Sequence, residues 1–304
     1  MAYGLQTYDD KARREDLLDI IGDVSPDENP LSTMLAVTTA KQTTHEWLED
    51  YMARPTSNTG AAEGAAATYS DLTQPSRRTN VTQIITETFR VSGTEDSVNV
   101  AGMASPFDYQ KNKALKSWKN RLEFSLIRST LASGASGSAQ TMKGIEATIT
   151  SHYTARLSGT SLSETEFNAM VLDVVSDVSS NEVPDIVLTT LQLRQKISTF
   201  TAGTTKTVAA GDKRLTRPVN VYESDFGVHR IFGHKDVSVS AATPGPKVIL
   251  LREDKWKIAY LRRPFYKPLA DDGDRAQGMY IGEATLEFLA ERANAMRSGY
   301  AYTG

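Results

Sequence analysis

The stretch from Ser105 to Ala132, SPFDYQKNKALKSWKNRLEFSLIRSTLA, constrains the fold of this chain more than any other. Ser105 is a favourable N-cap, and Pro106 follows at the first helical position, where a missing N–H costs nothing. Leu115, Trp118, Leu122 and Leu126 recur at spacings of three and four and therefore share one face. Phe124, Ile127 and Leu131 widen that face, and Gly134 and Gly137 supply the stop. The sequence predicts one helix over 105–132, about 40 Å long and roughly twice the length of an average globular helix. Its remaining surface is basic. Lys111, Lys113, Lys116, Lys119, Arg121 and Arg128 are opposed only by Asp108 and Glu123. A solvated face is the plain reading; a face that meets an acidic partner or a neighbouring subunit is the sharper one.

Upstream, HEWLEDY (His45–Tyr51) alternates with Trp47, Glu49 and Tyr51 on one side. The run TNVTQIITETFRV (Thr79–Val91) alternates with Val81, Gln83, Ile85, Glu87, Phe89 and Val91 on one side. Both are strand patterns. Small and polar residues separate them, so the segment reads as a long antiparallel ribbon with a flexible tip. An isolated two-stranded ribbon is marginal in water. The ribbon must lie on something, and a neighbouring subunit is the natural candidate.

Before the ribbon lies a polar arm with a short helix expected at 14–21 and a turn fixed by Pro26 and Pro30, followed by an apolar turn at Leu31, Met34 and Leu35. After the long helix come a strand expected at 145–152 and a helix at 163–180 opened by the capping pair Ser163 and Glu166. A buried strand at 185–189, a helix at 191–200 and a polar loop at 201–218 follow. Short strands are expected at 219–222, 227–232, 237–240, 248–251, 255–261 and 277–288. The fold class is α+β.

The chemistry such a chain can perform is narrow. Without cysteine there is no disulfide, thiol catalysis or cysteine-ligated zinc. A net charge of −3 gives no overall reason for a nucleic-acid surface. No apolar run is long enough to cross a bilayer, and no secretory signal opens the chain, so a non-membrane, non-secreted protein is expected. Phosphate-binding and dinucleotide-binding glycine motifs are absent. His45-Glu46 begins a zinc-protease motif, but Glu49 stands where its second histidine belongs. His229 and His234 read as hydrogen-bonded or exposed histidines, and Asp271, Asp272 and Asp274 as a solvated turn. Asn80-Val81-Thr82 matches a glycosylation sequon by accident. The expected site has no catalytic residue, no cofactor and no metal.

Several segments together carry a resemblance. Ser25-Pro26-Asp27-Glu28-Asn29-Pro30, His45-Glu46-Trp47, Arg90-Val91-Ser92-Gly93-Thr94, the lysine-rich helix, Val221 through Gly227 (VYESDFG), and Trp256 with Ala259-Tyr260-Leu261-Arg262 occur in that order. The chain thereby resembles the major capsid proteins of tailed bacteriophages, of the Hong Kong 97-type fold, over roughly residues 5–290. The resemblance implies an N-terminal arm (1–44), an extended loop or β-ribbon (45–98), a peripheral domain (99–183) with spine helix 105–132, an axial domain (184–257), and a return to the peripheral domain (258–304). It implies pentamers and hexamers of an icosahedral head enclosing double-stranded DNA, a virion location, and assembly in the bacterial cytoplasm. Partners would be further copies of the chain, a separate scaffolding protein, a portal, a decoration protein and nonspecifically held DNA. Expected subunit contacts are Trp47, Tyr51, Arg54, Arg77, Arg78, Ile85 and Phe89 on the ribbon, with Lys113, Lys116 and Lys119 on the helix. An encapsulin-like shell around protein cargo, or an α+β enzyme with a spatially assembled site, are the alternatives.

Some shells of this type are locked by isopeptide bonds from a lysine of the extended loop. Here no lysine lies between Lys41 and Lys111, and the ribbon tip carries only Arg54, Arg77 and Arg78. Guanidinium groups stay protonated and are poor nucleophiles. Particles boiled in denaturant should therefore run as single chains on a gel; a covalent ladder whose cross-linked peptides map to residues 45–91 would refute this.

Overall fold

A computed structural model describes residues 29–51, 58, 60–66, 74–98, 105–177, 182–200, 221–237, 245–270 and 273–301, with the side chains of 157–159 excepted. The helix expected at 14–21, Arg54, the loop at 201–218 and parts of the strand at 237–240 lie outside those residues.

The described chain opens with α1 (Pro30–Met34) and β1 (Ala36–Thr39). The ribbon strands β2 (Thr44–Glu49) and β3 (Ser76–Val81) follow, then β4 (Gln83–Ser92), α2 (Gly93–Ser97) and the long α3 (Pro106–Arg128). Next come α4 (Ile145–Thr148), β5 (Tyr153–Thr160), α5 (Glu164–Val175), β6 (Ile186–Thr189) and α6 (Leu191–Phe200). The chain ends through β7 (Val221–Ser224), β8 (Gly227–Gly233), β9 (Lys247–Leu251), β10 (Trp256–Pro268), β11 (Arg275–Phe288) and β12 (Ala295–Tyr300).

Two compact units result. Among the described residues, 86–98, 105–118, 266–270 and 273–280 form one; 29–51, 74–85, 119–177, 182–200, 221–237, 245–265 and 281–301 belong to the other. In the first, Phe89 packs against Phe107 and Tyr266, at ring-centroid distances of 5.2 and 6.2 Å, and Lys111 sits 4.6 Å from the Tyr266 ring. The second holds a six-stranded sheet in the order β5-β12-β9-β6-β8-β7. Its central strands β6 and β9 pair antiparallel and are buried along their whole length, which is why they read as unbroken apolar runs rather than alternating ones. Helices α5 and α6 bury Phe167, Met170, Val171, Val174, Leu193 and Ile197 in the same core as Val187, Val248 and Leu250. The sheet therefore draws on β5 and β12 as well as on the strands of 184–257. A second sheet has the order β1-β10-β11-β4.

The long helix is observed, shortened at its C-terminal end. Ser105 caps it, its Oγ accepting the Asp108 N–H at 3.2 Å. Ala114, Trp118, Leu122 and Leu126 are buried at a spacing of four. Helix α3 stops at Arg128, and the strand expected at 145–152 is absent, for one shared reason. The chain doubles back, and the Gly144 N–H bonds the Ser129 carbonyl at 2.8 Å. A Cβ at position 144 would lie 2.9–3.0 Å from backbone atoms of Ser125, Ile127 and Ser129, so only glycine makes this approach. Ile145 and Ile149 are then buried four residues apart, at helical spacing in and just beyond α4. Phe124 and Leu131, expected on the apolar face, are exposed.

Glu123 departs furthest from expectation. Rather than lying on a charged surface it is fully buried. Its Oε1 accepts the Leu31 N–H and its Oε2 the Ser32 N–H, both at 2.8 Å, so one carboxylate satisfies the open amides at the start of α1. Beside them the Asn29 side chain donates to Asn120 Oδ1 at 2.9 Å. His234 Nδ1 accepts the Asp236 N–H, which places the proton of a neutral ring on Nε2, 3.5 Å from Glu123 Oε1. Replacing Glu123 by alanine leaves the buried Leu31 amide and the part-buried Ser32 amide without this acceptor, and should cost about 3 kcal/mol of subunit stability. Urea denaturation of the isolated subunit measures this; a loss below about 0.5 kcal/mol would mean that water or another group replaces the carboxylate.

Candidate assembly surface

The ribbon root has two chemically distinct faces. Strands β2 and β3 pair antiparallel in the register Trp47 opposite Arg78 and Leu48 opposite Arg77. Directly opposed residues share a face, so His45, Trp47, Glu49, Arg78 and Asn80 lie on one side, and Glu46, Leu48, Arg77 and Thr79 on the other.

The first face packs on its own chain. Trp47 meets the Phe288 ring edge-on at a centroid distance of 5.1 Å, and His45 Nε2 lies 3.0 Å from Glu287 Oε2. Glu49, almost fully buried, accepts Arg78 Nε at 2.7 Å and the backbone N–H of Ala290. Burial, followed by the Glu49 carboxylate beside it, pushes the Tyr51 phenol up to about 12, so Tyr51 is a neutral hydrogen-bonding member of this cluster at physiological pH. Asn80, only 1% exposed, saturates its amide: Nδ2 donates to the carbonyls of Leu286 (2.7 Å) and Lys143 (3.1 Å), and Oδ1 accepts the N–H groups of Val81 and Lys143. An amide engaged in this way offers no nitrogen to a glycosylating enzyme, in keeping with an accidental sequon.

The first face of the ribbon root is thus engaged by its own chain. Trp47, Tyr51 and Arg78 are committed to internal contacts, Phe89 to its own aromatic cluster, and Ile85 is 4% exposed and belongs to the core. Of the ribbon residues singled out by sequence, Arg77 faces outward, paired across the strands with Glu46 at 3.3 Å. Beside it Leu48 is 66% exposed, the largest exposure of any bulky apolar side chain among the described residues. Sequence reasoning passed over Leu48 in favour of Trp47, although the alternation of HEWLEDY already placed the two on opposite faces.

Lys113, Lys116 and Lys119 are all exposed on α3, as expected. At 100° per residue they flank a stripe that continues through Asn120 and Arg121 to the exposed Phe124, whose ring lies 5.7 Å from the Arg128 guanidinium. Trp118 and Phe124 are six residues apart, about 120° from facing the same way, which is the signal that separates Phe124 from the buried face. The described residues contain no cluster of histidine, aspartate and glutamate able to hold a metal ion.

Comparison with known proteins gives these surfaces a context. The family described as SU10 major capsid protein matches residues 3–301. The major capsid protein of Escherichia phage Phieco32 is 28% identical over 121 residues, which is 40% of this chain and 34% of that protein; the match spans about a third of that relative's length. Among solved structures, Gordonia phage Cozz is similar with a TM-score of 0.66 at 14% identity, covering 94% of this chain and 91% of the other. The SrpI encapsulin of Synechococcus elongatus PCC 7942 is similar with a TM-score of 0.60 at 12% identity, covering 96% and 94%. At such identities the structures speak for the fold, which phage heads and encapsulins share, while the family match extends over almost the whole sequence. The chain belongs to the SU10 major capsid protein family and has the Hong Kong 97-type fold.

Proposed function

We propose that this chain is the shell subunit of a phage head, assembling with copies of itself into pentamers and hexamers that close around double-stranded DNA. The family match over residues 3–301 carries this reading. It is a structural role, not an enzymatic one, carried out in the virion after assembly in the bacterial cytoplasm. A separate scaffolding protein and a portal are its further partners. DNA is held without sequence preference, and weakly, given a net charge of −3. In this scheme α3 is the spine of the peripheral domain, the six-stranded sheet is the core of the axial domain, and the segment around β2 and β3 is the extended loop.

The outward face of the ribbon root, with Leu48 beside the Arg77–Glu46 pair, is the contact on which we would place a neighbouring subunit. Covering an exposed leucine is worth about 2 kcal/mol, and a closed ring repeats that gain at every subunit. Leu48→Asp should leave the far-ultraviolet circular dichroism and thermal midpoint of the isolated subunit unchanged while reducing shell yield at least tenfold. Normal yield would remove this face from the interface.

The encapsulin likeness supports a second reading, a shell around protein cargo. Negative-stain microscopy of released particles separates the two. DNA-filled heads with one distinct portal vertex are expected; uniform closed shells containing protein would favour the second reading. A chain that remains monomeric at high concentration would overturn both.

A further inference from the structure

The β7–β8 hairpin sets a serine against a histidine, and neither has a part in the surfaces described above. Tyr222 lies directly opposite His229 in the antiparallel pair, so Ser224, two residues along β7, shares their face at the end next to the turn. Ser224 Oγ is 2.8 Å from His229 Nε2. The other ring nitrogen, Nδ1, is 2.7 Å from the Pro184 carbonyl oxygen. A carbonyl only accepts, so the proton of the neutral ring sits on Nδ1 and Nε2 carries a lone pair. The Ser224 hydroxyl therefore donates to His229. The Gly227 carbonyl is a second acceptor for that hydroxyl, at the longer distance of 3.1 Å. Burial, the largest influence on His229, pushes its imidazole below the ordinary range, although the Pro184 carbonyl and Asp185 act to raise it. The ring is thus an unprotonated base at neutral pH. It is also held in place. His229 is fully buried, Phe167 meets it edge-on at a centroid distance of 5.9 Å, and Tyr222 lies nearly parallel to it at 6.5 Å. Ser224 is only half-buried, at the end of the hairpin. Its Oγ accepts the Phe226 N–H at 3.2 Å, a donor that favours negative charge on the oxygen as the proton leaves.

We propose that Ser224 is a nucleophile activated by His229, and a modification site that takes the acyl group of an activated donor such as a thioester. Oγ bonds to the donor's carbonyl carbon while its proton passes to His229 Nε2. The carbon–sulfur bond then breaks, and the departing thiolate takes the proton. Ser224 is left as an ester and His229 is again neutral. The Pro184 carbonyl acts through the histidine, holding the tautomer in which Nε2 can receive a proton. A weak alcohol becomes reactive when a base touches it and a third group orients that base, and the hairpin supplies all three. This inference does not depend on shell formation, and its test uses the subunit before assembly.

The full-length subunit is treated with a fluorophosphonate, which bonds through phosphorus to an activated serine oxygen and releases fluoride. Labelled peptides are then followed in time by mass spectrometry. Ser163 and Ser176 are the internal comparison, since both are exposed and their side chains bond to backbone groups of α5. Ser224 should be labelled about tenfold faster or more, a modest share of what a positioned base can provide. Labelling no faster than at those two serines overturns the proposal. His229→Gln keeps a polar side chain and removes the base. With an unchanged thermal midpoint this chain should lose the gain, and labelling at the native rate overturns the proposal. Where the variant does not fold, the native chain in urea gives the same reading: the three rates should converge, and a Ser224 that stays fast there owes nothing to the folded dyad, which overturns the proposal. Incubation with a simple thioester, S-acetyl-N-acetylcysteamine, should acetylate Ser224 and block the fluorophosphonate in proportion. Unmodified Ser224 after that treatment overturns the acyl assignment.

Discussion

The fold turns on how the ribbon root is satisfied. Where a two-stranded ribbon leaves a sheet, backbone donors and acceptors lose their ladder partners, and buried ones must find others. Asn80 supplies them with one side chain, spending both amide hydrogens and both oxygen lone pairs on Leu286, Lys143 and Val81. Gln83 repeats the device toward α3: its Oε1 accepts Ser129 Oγ and the Met142 N–H, and its Nε2 donates to Ser125. Between them Thr82 donates to Glu283, which is itself held by Arg262. Three short polar residues thus tie the ribbon, the end of α3, the loop that doubles back from it, and β11 into one arrangement. Such a network specifies a single geometry because each half-made alternative leaves a buried polar group unpaired.

Buried carboxylates do similar work elsewhere. Glu123 holds the amides that open α1, Glu49 holds Ala290, and Glu291 takes the amides of Thr150 and Ser151 together with the Ser151 hydroxyl. The Glu291 carboxyl lies below the usual range even though burial acts to raise it, because the Ser151 and Thr150 donors favour the charged form. Each of these glutamates joins segments distant in sequence. Each is engaged by donors of its own chain.

What could be read in the sequence follows from what local periodicity records. The capped helix α3, the buried strands β6 and β9, α6 at 191–200 and the two-faced ribbon strands were legible because burial imposes a period of 3.6 or 2 on nearby residues. The order of motifs along the chain carried the family. Long-range polar contacts leave no period. Nothing around Glu123 announces that its acceptors' partners lie ninety residues upstream, and nothing around Asn80 points to Leu286. Ile145, Ala147 and Ile149 fit alternation and helical spacing equally well, and Gly144 decided between them through a close approach that only the fold creates. Of the ribbon residues expected at subunit contacts, Ile85 lies in the core and Trp47, Tyr51 and Phe89 make contacts within their own chain, which residue size alone does not reveal.

Those internal contacts bear on what assembly would have to order. A ribbon pinned to its own chain by Trp47, Glu49 and Asn80 already has its root oriented before any neighbour arrives, so less ordering is left for assembly to offset. The exposed groups Leu48, Arg77, Lys113, Lys116 and Lys119 would each add little if a neighbour covered them. Weak contacts repeated under symmetry can still close a shell, and they allow misplaced subunits to leave before closure, which a few strong aromatic anchors would prevent. The ribbon keeps aromatic and polar anchors on one face and a leucine with an ion pair on the other, so the two faces could be altered independently.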